Sequence, residues 1–130
     1  MLKMKINRKS VTTKLQNLEK EMEKEVKAEM RQIAEQILQR SPVLTGAYVE
    51  SHSVVFPASS GAGRMRSSKN RPKTRDEAKH KGIARDQMYS DIERLDLEQH
   101  GSASFRNRAP HAGPVEDKHR VFESVKDINR

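Results

Sequence analysis

The chain contains one long run with helical periodicity, and this run constrains the fold more than any other feature. Over residues 11–38 apolar side chains recur at steps of three or four, the spacing of one face of an α-helix. They are Val11, Leu15, Leu18, Met22, Val26, Met30, Ile33 and Ile37. We predict a helix over residues 11–40, ended by Pro42, because a residue before proline is pushed out of helical backbone. The mean step exceeds 3.5 residues and favours a helix laid across a sheet, with a coiled coil as the alternative.

A short turn follows this helix and redirects the chain. Residues Ser41–Gly46 read SPVLTG, in which Gly46 permits a positive φ and the Thr45 hydroxyl can bond to nearby backbone. We therefore predict a tight corner from helix into sheet, with Pro42, Thr45 and Gly46 as structural residues. Alternation and β-branched side chains then predict a strand over Ala47–Phe56.

The positive charge is concentrated in one segment. The net charge of the chain is +8, and residues 57–85 contribute +7 through nine basic and two acidic side chains. Since this segment has few apolar residues, we predict a flexible basic loop between two strands, although residues 74–90 also fit a short helix capped by Thr74. The candidate contacts to DNA or to a protein partner are Arg64, Arg66, Lys69, Arg71, Lys73, Arg75, Lys79 and Lys81. A solvated loop without a binding role is the alternative.

The C-terminal third gives weaker signals. Residues 91–99 alternate as in a strand but also fit a helix, and we predict a hairpin in which residues 102–108 form the second strand. Residues 116–128 predict a closing helix or, in their first half, a final strand. The predicted class is α+β, with the long helix packed on a small antiparallel sheet. Its parts are a single domain of residues 1–130, an N-terminal arm (1–10), the helix (11–40) and the basic loop (57–85).

Composition excludes several classes of function. The chain has no Cys, which excludes disulfides, thiolate ligands and cysteine nucleophiles. Apolar residues make up only 33% and Trp is absent, which predicts a small core or one completed by neighbouring subunits. No run of 18 apolar residues occurs, and the first ten residues lack the apolar centre of a secretion signal. We therefore expect a soluble chain made in a cytoplasm and no membrane segment.

One group of histidines and acids is the best candidate for an enzyme. It comprises His100, His111, Glu116, Asp117 and His119. Their spacing matches no HExxH pattern, and the chain contains neither a GxSxG elbow nor a GxxxxGK[ST] phosphate loop. A metal-dependent nuclease is therefore the least favoured hypothesis, and we predict no catalytic residue, no metal and no cofactor.

Two stretches taken together resemble a known family. Ser41, Pro42, Thr45 and Gly46 match the Ser/Ala-Pro-x-x-Thr-Gly turn that follows the long first helix of the tail-completion (neck) proteins of long-tailed bacteriophages. The second motif of that family, Asn…Pro-Tyr-Ala…Val-Glu, resembles NRAPHAGPVED at residues 107–117. The matching residues are Asn107, Ala109, Pro110, Ala112, Val115 and Glu116. A second register, with the acidic element at Leu97–Ser102, stays open.

The resemblance implies a structural virion protein and not an enzyme. Such a protein forms an oligomeric ring, expected to be a hexamer, that completes the tail and joins it to the head connector. Its partners would be copies of itself, the connector, and tail tube or tail terminator proteins, with non-specific contact to channel DNA. It would assemble in the host cytoplasm and reside in the neck of the virion. The helix stripe, the corner, Pro110, Val115 and Glu116 would form or shape subunit interfaces.

The residues alone also support a function of another class. A nucleic-acid-binding protein would use residues 57–85 to neutralise phosphates and would dimerise through the long helix. Base stacking is not expected, since no aromatic residue lies among the basic ones.

Overall fold

The chain folds as helices around a two-stranded sheet. A computed structural model describes residues 8–56, 63–97, 100 and 102–129, with side chains from Gln16 onward. The elements are α1 (Arg8–Arg40), a 3₁₀ turn (Val49–Ser51), β1 (His52–Val55), α2 (Glu77–Glu93), β2 (Ser104–Asn107), α3 (Ala112–His119) and α4 (Val121–Ile128). The predicted α+β class, with a long first helix and a small antiparallel sheet, is confirmed. Residues 1–7 of the predicted arm and 57–62 of the predicted loop lie outside the described residues.

Only part of α1 contributes to the core. The helix begins at Arg8, inside the predicted arm, and ends at Arg40 before Pro42. Leu18 and Met22, which belong to the predicted stripe, are 52% and 50% exposed. The buried residues of α1 lie towards its C-terminal end and are Met30, Ala34, Ile37 and Leu38. Neither α1 nor any other helix of the described residues is long and apolar enough to cross a membrane.

The corner forms as predicted, but the strand after it is shorter. Gly46 has φ +84°, and Thr45 Oγ1 accepts a hydrogen bond from the Ala47 amide at 3.3 Å. The Glu50 amide then bonds to the Gly46 carbonyl at 3.0 Å, so the chain makes a helical turn before β1 begins. The prediction of a strand over residues 47–56 is therefore wrong for its first half, because those residues bond within this turn.

α2 occupies positions that were predicted as loop and strand. A helix is present near the predicted 74–90, but it starts later, and its cap is Asp76 instead of Thr74. The Asp76 carboxylate accepts from the Lys79 amide at 3.0 Å. Residues 77–85 of the predicted flexible loop are thus helical, and the strand predicted from residue 91 is wrong because residues 91–93 form the last turn of α2.

The sheet pairs strands that lie far apart in sequence. β1 and β2 are antiparallel, with His52 opposite Asn107 and Val54 opposite Phe105. The predicted hairpin between residues 91–99 and 102–108 is therefore wrong, although its second strand exists as β2. Because α2 lies between the two strands in the chain, their pairing is long-range and leaves no local hairpin signal.

A polar cluster fastens α1 to α2 beside the core. Glu35 accepts a hydrogen bond from the Tyr89 hydroxyl at 2.7 Å and one from Arg85 Nη2 at 3.1 Å. The bond from the Arg85 guanidinium holds the pKa of Glu35 below its usual value. The largest fully buried apolar side chains among the described residues are Ile37, Leu38, Val49, Met88, Ile92 and Val121.

The predicted closing helix is split in two. Arg120 has a left-handed backbone with φ 49° and separates α3 from α4. The Glu116 carboxylate accepts hydrogen bonds from the Phe122 and Glu123 amides at 3.1 Å, so it caps the N-terminus of α4. The alternative of a strand in the first half of this segment is wrong.

Candidate assembly site

The corner and the second motif meet at a buried histidine. His52 is 1% exposed and lies between Ser41 and Asn107. Its Nε2 is 2.8 Å from Ser41 Oγ, and its Nδ1 is 3.2 Å from Asn107 Nδ2. Ser41 belongs to the corner and Asn107 opens the second motif, so the structure brings the two stretches into contact.

The bonds around His52 determine its tautomer. Asn107 Oδ1 accepts from the Ala109 amide at 2.9 Å, so the amide nitrogen of Asn107 faces the ring. Nδ1 of His52 therefore accepts, and Nε2 carries the proton and donates to Ser41 Oγ. Ser41 in turn donates to the Ile37 carbonyl at 2.7 Å. Burial lowers the pKa of His52 to about 3, so the ring is neutral.

A serine, a histidine and an asparagine in this order also occur in nucleophilic active sites, but the proton roles here are reversed. In such sites the histidine accepts the proton of the nucleophile and donates through its other nitrogen. Here His52 donates to Ser41 and accepts from Asn107. Ser41 is also only 4% exposed, so a substrate has no access to it. The network therefore joins the end of α1 to both strands and has a structural role.

Three arginines of the basic segment neutralise acids of the fold. The pairs are Arg64–Asp91, Arg71–Glu50 and Arg85–Glu35. Asp91 and Glu50 are buried, and an unpaired buried carboxylate would be strongly destabilising. Arg64 and Arg71, predicted as candidate contacts to DNA or a partner, are thus occupied within the chain.

The basic segment is also fastened through its backbone. The Arg64 amide donates to Ser53 Oγ at 2.7 Å, and the Arg66 amide donates to Ser51 Oγ at 2.8 Å. Further on, the Thr74 amide bonds to the carbonyl of the corner residue Leu44 at 2.7 Å. Three backbone hydrogen bonds therefore hold the described part of the segment between Gly63 and Thr74 to the corner, the 3₁₀ turn and β1.

Gly46 is needed for a close approach as well as for its φ. A Cβ atom at this position would lie 2.2 Å from Nδ1 of His80. That nitrogen is 3.0 Å from the Glu50 carboxylate, which also binds Arg71. The corner is therefore held against the first turn of α2, and a larger residue would push the two apart.

Six of the candidate cations have no ion pair within the described residues. They are Arg66, Lys69, Lys73, Arg75, Lys79 and Lys81, of which the first five are exposed and the last is half-buried. These six side chains, and not all nine basic residues of the segment, are available to a partner.

A groove of about 420 Å³ lies where the corner, the basic segment and α3 meet, and we call it the corner groove. Its lining comprises Pro42, Leu44, Thr45, Tyr48, Ser68, Arg71, Lys73, His111, Val115 and His119. No Asp or Glu belongs to this lining. The Tyr48 hydroxyl is buried and has no hydrogen-bond partner among the described residues. Burial, with a smaller effect of the Glu116 charge, raises the pKa of Tyr48, so this hydroxyl remains a donor at neutral pH.

The exposed end of α1 carries acidic side chains, in contrast to the corner groove. We call residues 16–25 the α1 arm. Leu18 and Met22 form its exposed apolar patch, and the side chains three or four positions from them lie on the same side of the helix. The charged residues at those positions with described side chains are Glu19, Glu21 and Glu25. All three are exposed and outside any ion pair in the described part of the chain.

The remaining predicted interface residues lie in different environments. Ile37 is buried, Val26 and Ile33 are half-buried against the core, and Pro110 is exposed. Pro42, Thr45 and Val115 line the corner groove, whereas Glu116 caps α4. The Leu15 side chain lies outside the described residues, as do Glu98, Gln99 and Gly101, half of the alternative register at Leu97–Ser102.

The histidine and acid group is not gathered at one point. His100 stacks on Phe56 with ring centroids 4.5 Å apart, whereas His111 and His119 line the corner groove. Among the described residues, no three His, Asp or Glu side chains are arranged to hold a metal.

The buried polar residues were missed by sequence reasoning. Glu50 and His52 lie within the strand predicted over Ala47–Phe56, and polar side chains are normally solvated. Their burial depends on Arg71 and Asn107, which follow much later in the chain. The available signal was the motif residue Asn107, whose partner a single sequence does not identify.

No family model matches the chain, and no curated protein or solved structure matches it.

Proposed function

We propose that this protein is a structural component of the neck of a long-tailed bacteriophage. Copies form a ring, expected to be a hexamer, that completes the tail and joins its tube or terminator to the head connector. The observation that carries the proposal is a pair of unlike surfaces on one chain, the acidic, apolar α1 arm and the basic corner groove. Unlike surfaces that bind head to tail generate rings when the rotation closes.

The positions of the motif residues also support this proposal. Gly46 makes the corner, Asn107 holds the His52 ring, and Glu116 caps α4. The residues that resemble the neck family thus shape the region around the corner groove. An exposed apolar patch on the arm further favours a chain that buries this surface against a neighbour.

Light scattering on a sizing column, at low and high salt, tests the ring. We expect a particle of six or twelve chain masses and closed rings in negative-stain electron micrographs. The Met22→Lys variant should reduce assembly, whereas Lys24→Ala, a change at an exposed position of the same helix, should not. A dimer at both salt concentrations would contradict the ring and favour the second candidate below. A monomer would limit the proposal to assembly on a connector surface, to be tested with that partner.

A nucleic-acid-binding protein is the second candidate, favoured by the six unpaired cations. Neutralisation of six phosphates predicts that the logarithm of affinity falls with the logarithm of salt with a slope of about −5, against about −8 for all nine basic residues. Fluorescence anisotropy with a short duplex measures this slope. Replacing Lys69 and Arg75 by Ala should make the slope shallower, at about −3. An affinity that does not change with salt would contradict this candidate.

A further inference from the structure

The patch on the α1 arm has a defined chemistry. Leu18 and Met22 lie one helical turn apart, and the described charged neighbours on that side are all acidic. Lys20 lies two positions from both residues and therefore points to the opposite side of the helix. A surface that covers this patch must supply apolar contact and positive charge together.

The corner groove supplies both. Leu44, which lines it, is 60% exposed, and Pro42 adds a further apolar wall. Lys73 is exposed at the same groove and has no ion pair within the part of the chain that the structure describes. A carboxylate that enters the groove would meet this cation, and the lining contains no carboxylate to repel it.

The two surfaces of one molecule are too far apart to meet. Continuous helix extends 18 positions from Met22 to Arg40, two residues before Pro42, which is about 27 Å at the rise of an α-helix. The arm therefore cannot fold back onto the groove of its own chain, and its occupant must come from a different molecule.

We propose that the α1 arm of one copy docks in the corner groove of a second copy, with Leu18 and Met22 against Leu44. The glutamates beside the patch, Glu21 and Glu25, then lie near Lys73. The proposal deepens the proposed ring and rests on it, since it names the contact that would repeat around that ring.

A two-fold contact between two arms is disfavoured by the same charges. Pairing Leu18 and Met22 with their own copies would bring the glutamates of one arm against those of the other. The contact of an arm with a groove is small, so we expect a weak single contact that gains strength where a closed ring repeats it.

Cysteine crosslinking tests the contact directly, because the chain has no cysteine of its own. Met22→Cys and Leu44→Cys proteins are mixed and treated with a short bismaleimide at low salt. We expect a crosslinked pair that contains one copy of each variant. Lys20→Cys, on the opposite side of the arm, is the matched control and should not crosslink to Leu44→Cys.

Charge reversal provides the second measurement. Lys73→Glu should reduce the yield of the mixed crosslink at least about threefold, and Glu21→Lys in the other partner should restore it. Crosslinks within Met22→Cys alone, or none in the mixture, would overturn the docking. If light scattering still shows rings in that case, the contact is wrong and the proposed function stands; if it shows a dimer at both salt concentrations, both are wrong.

Discussion

Lowering the pH from 7.5 to 5 should destabilise the protein through His52. The folded ring is buried, accepts the Asn107 bond and has a pKa of about 3, against an ordinary value of 6.5. Between these values the unfolded chain takes up a proton at this residue and the folded chain does not. The free energy of unfolding therefore falls as the pH falls, by about 1.4 kcal/mol per unit below pH 6.5. The loss from this residue at pH 5 is about 2 kcal/mol.

Urea unfolding followed by far-UV circular dichroism measures this loss at each pH. His52→Gln removes the titrating ring but retains a side-chain amide that can donate and accept. The difference between the two pH profiles cancels the titrating groups that both proteins share. His119→Gln, at an exposed histidine, is the control and should keep the wild-type slope. Parallel profiles for wild type and His52→Gln would refute the assignment of a neutral, buried His52.

Three further changes test the geometry of the fold by the same unfolding measurement. Gly46→Ala should lower the free energy of unfolding by more than about 2 kcal/mol. The loss should be smaller in a His80→Ala background, because the close contact with His80 is then gone and only the positive φ remains unfavourable. An equal loss in both backgrounds would contradict the contact. Glu116→Ala should cost about 1 kcal/mol through the lost cap of α4, and no change would mean that water replaces it. Asp91→Asn should cost roughly 3 kcal/mol by leaving Arg64 without its carboxylate, and a neutral result would show that this pair is solvated.

The long helix and the corner were predictable because their signals are local. The stripe of α1 and the proline after it set the helix end within the sequence itself, and Gly46 has the positive φ that its turn requires. Periodicity does not show how much of the apolar stripe is buried by other elements of the fold. Leu18 and Met22 fit the stripe as well as Ile37 does, and only the positions of α2 and α4 distinguish them.

The strand pairing and the buried polar residues were not predictable, because their partners lie far away in the chain. Alternation at residues 91–99 resembled a strand, but two successive residues there, Asp91 and Ile92, are both buried at the end of α2. The sequence shows His52 only as a polar residue of a predicted strand, and its partner becomes evident where β2 places Asn107 opposite it. In both cases a local pattern was overridden by long-range packing.

The basic segment shows why net charge alone is a poor guide to a binding surface. Arg64 and Arg71 compensate carboxylates that the fold has buried, so their charge is cancelled inside the molecule. Of the six cations without an ion pair in the described part of the chain, Lys73 lies at the corner groove. A segment that looks like a uniform phosphate-binding loop is thus divided between stabilising the fold and presenting charge at one place. That division favours recognition of a shaped acidic surface, such as the α1 arm of another copy, over sequence-independent contact along DNA.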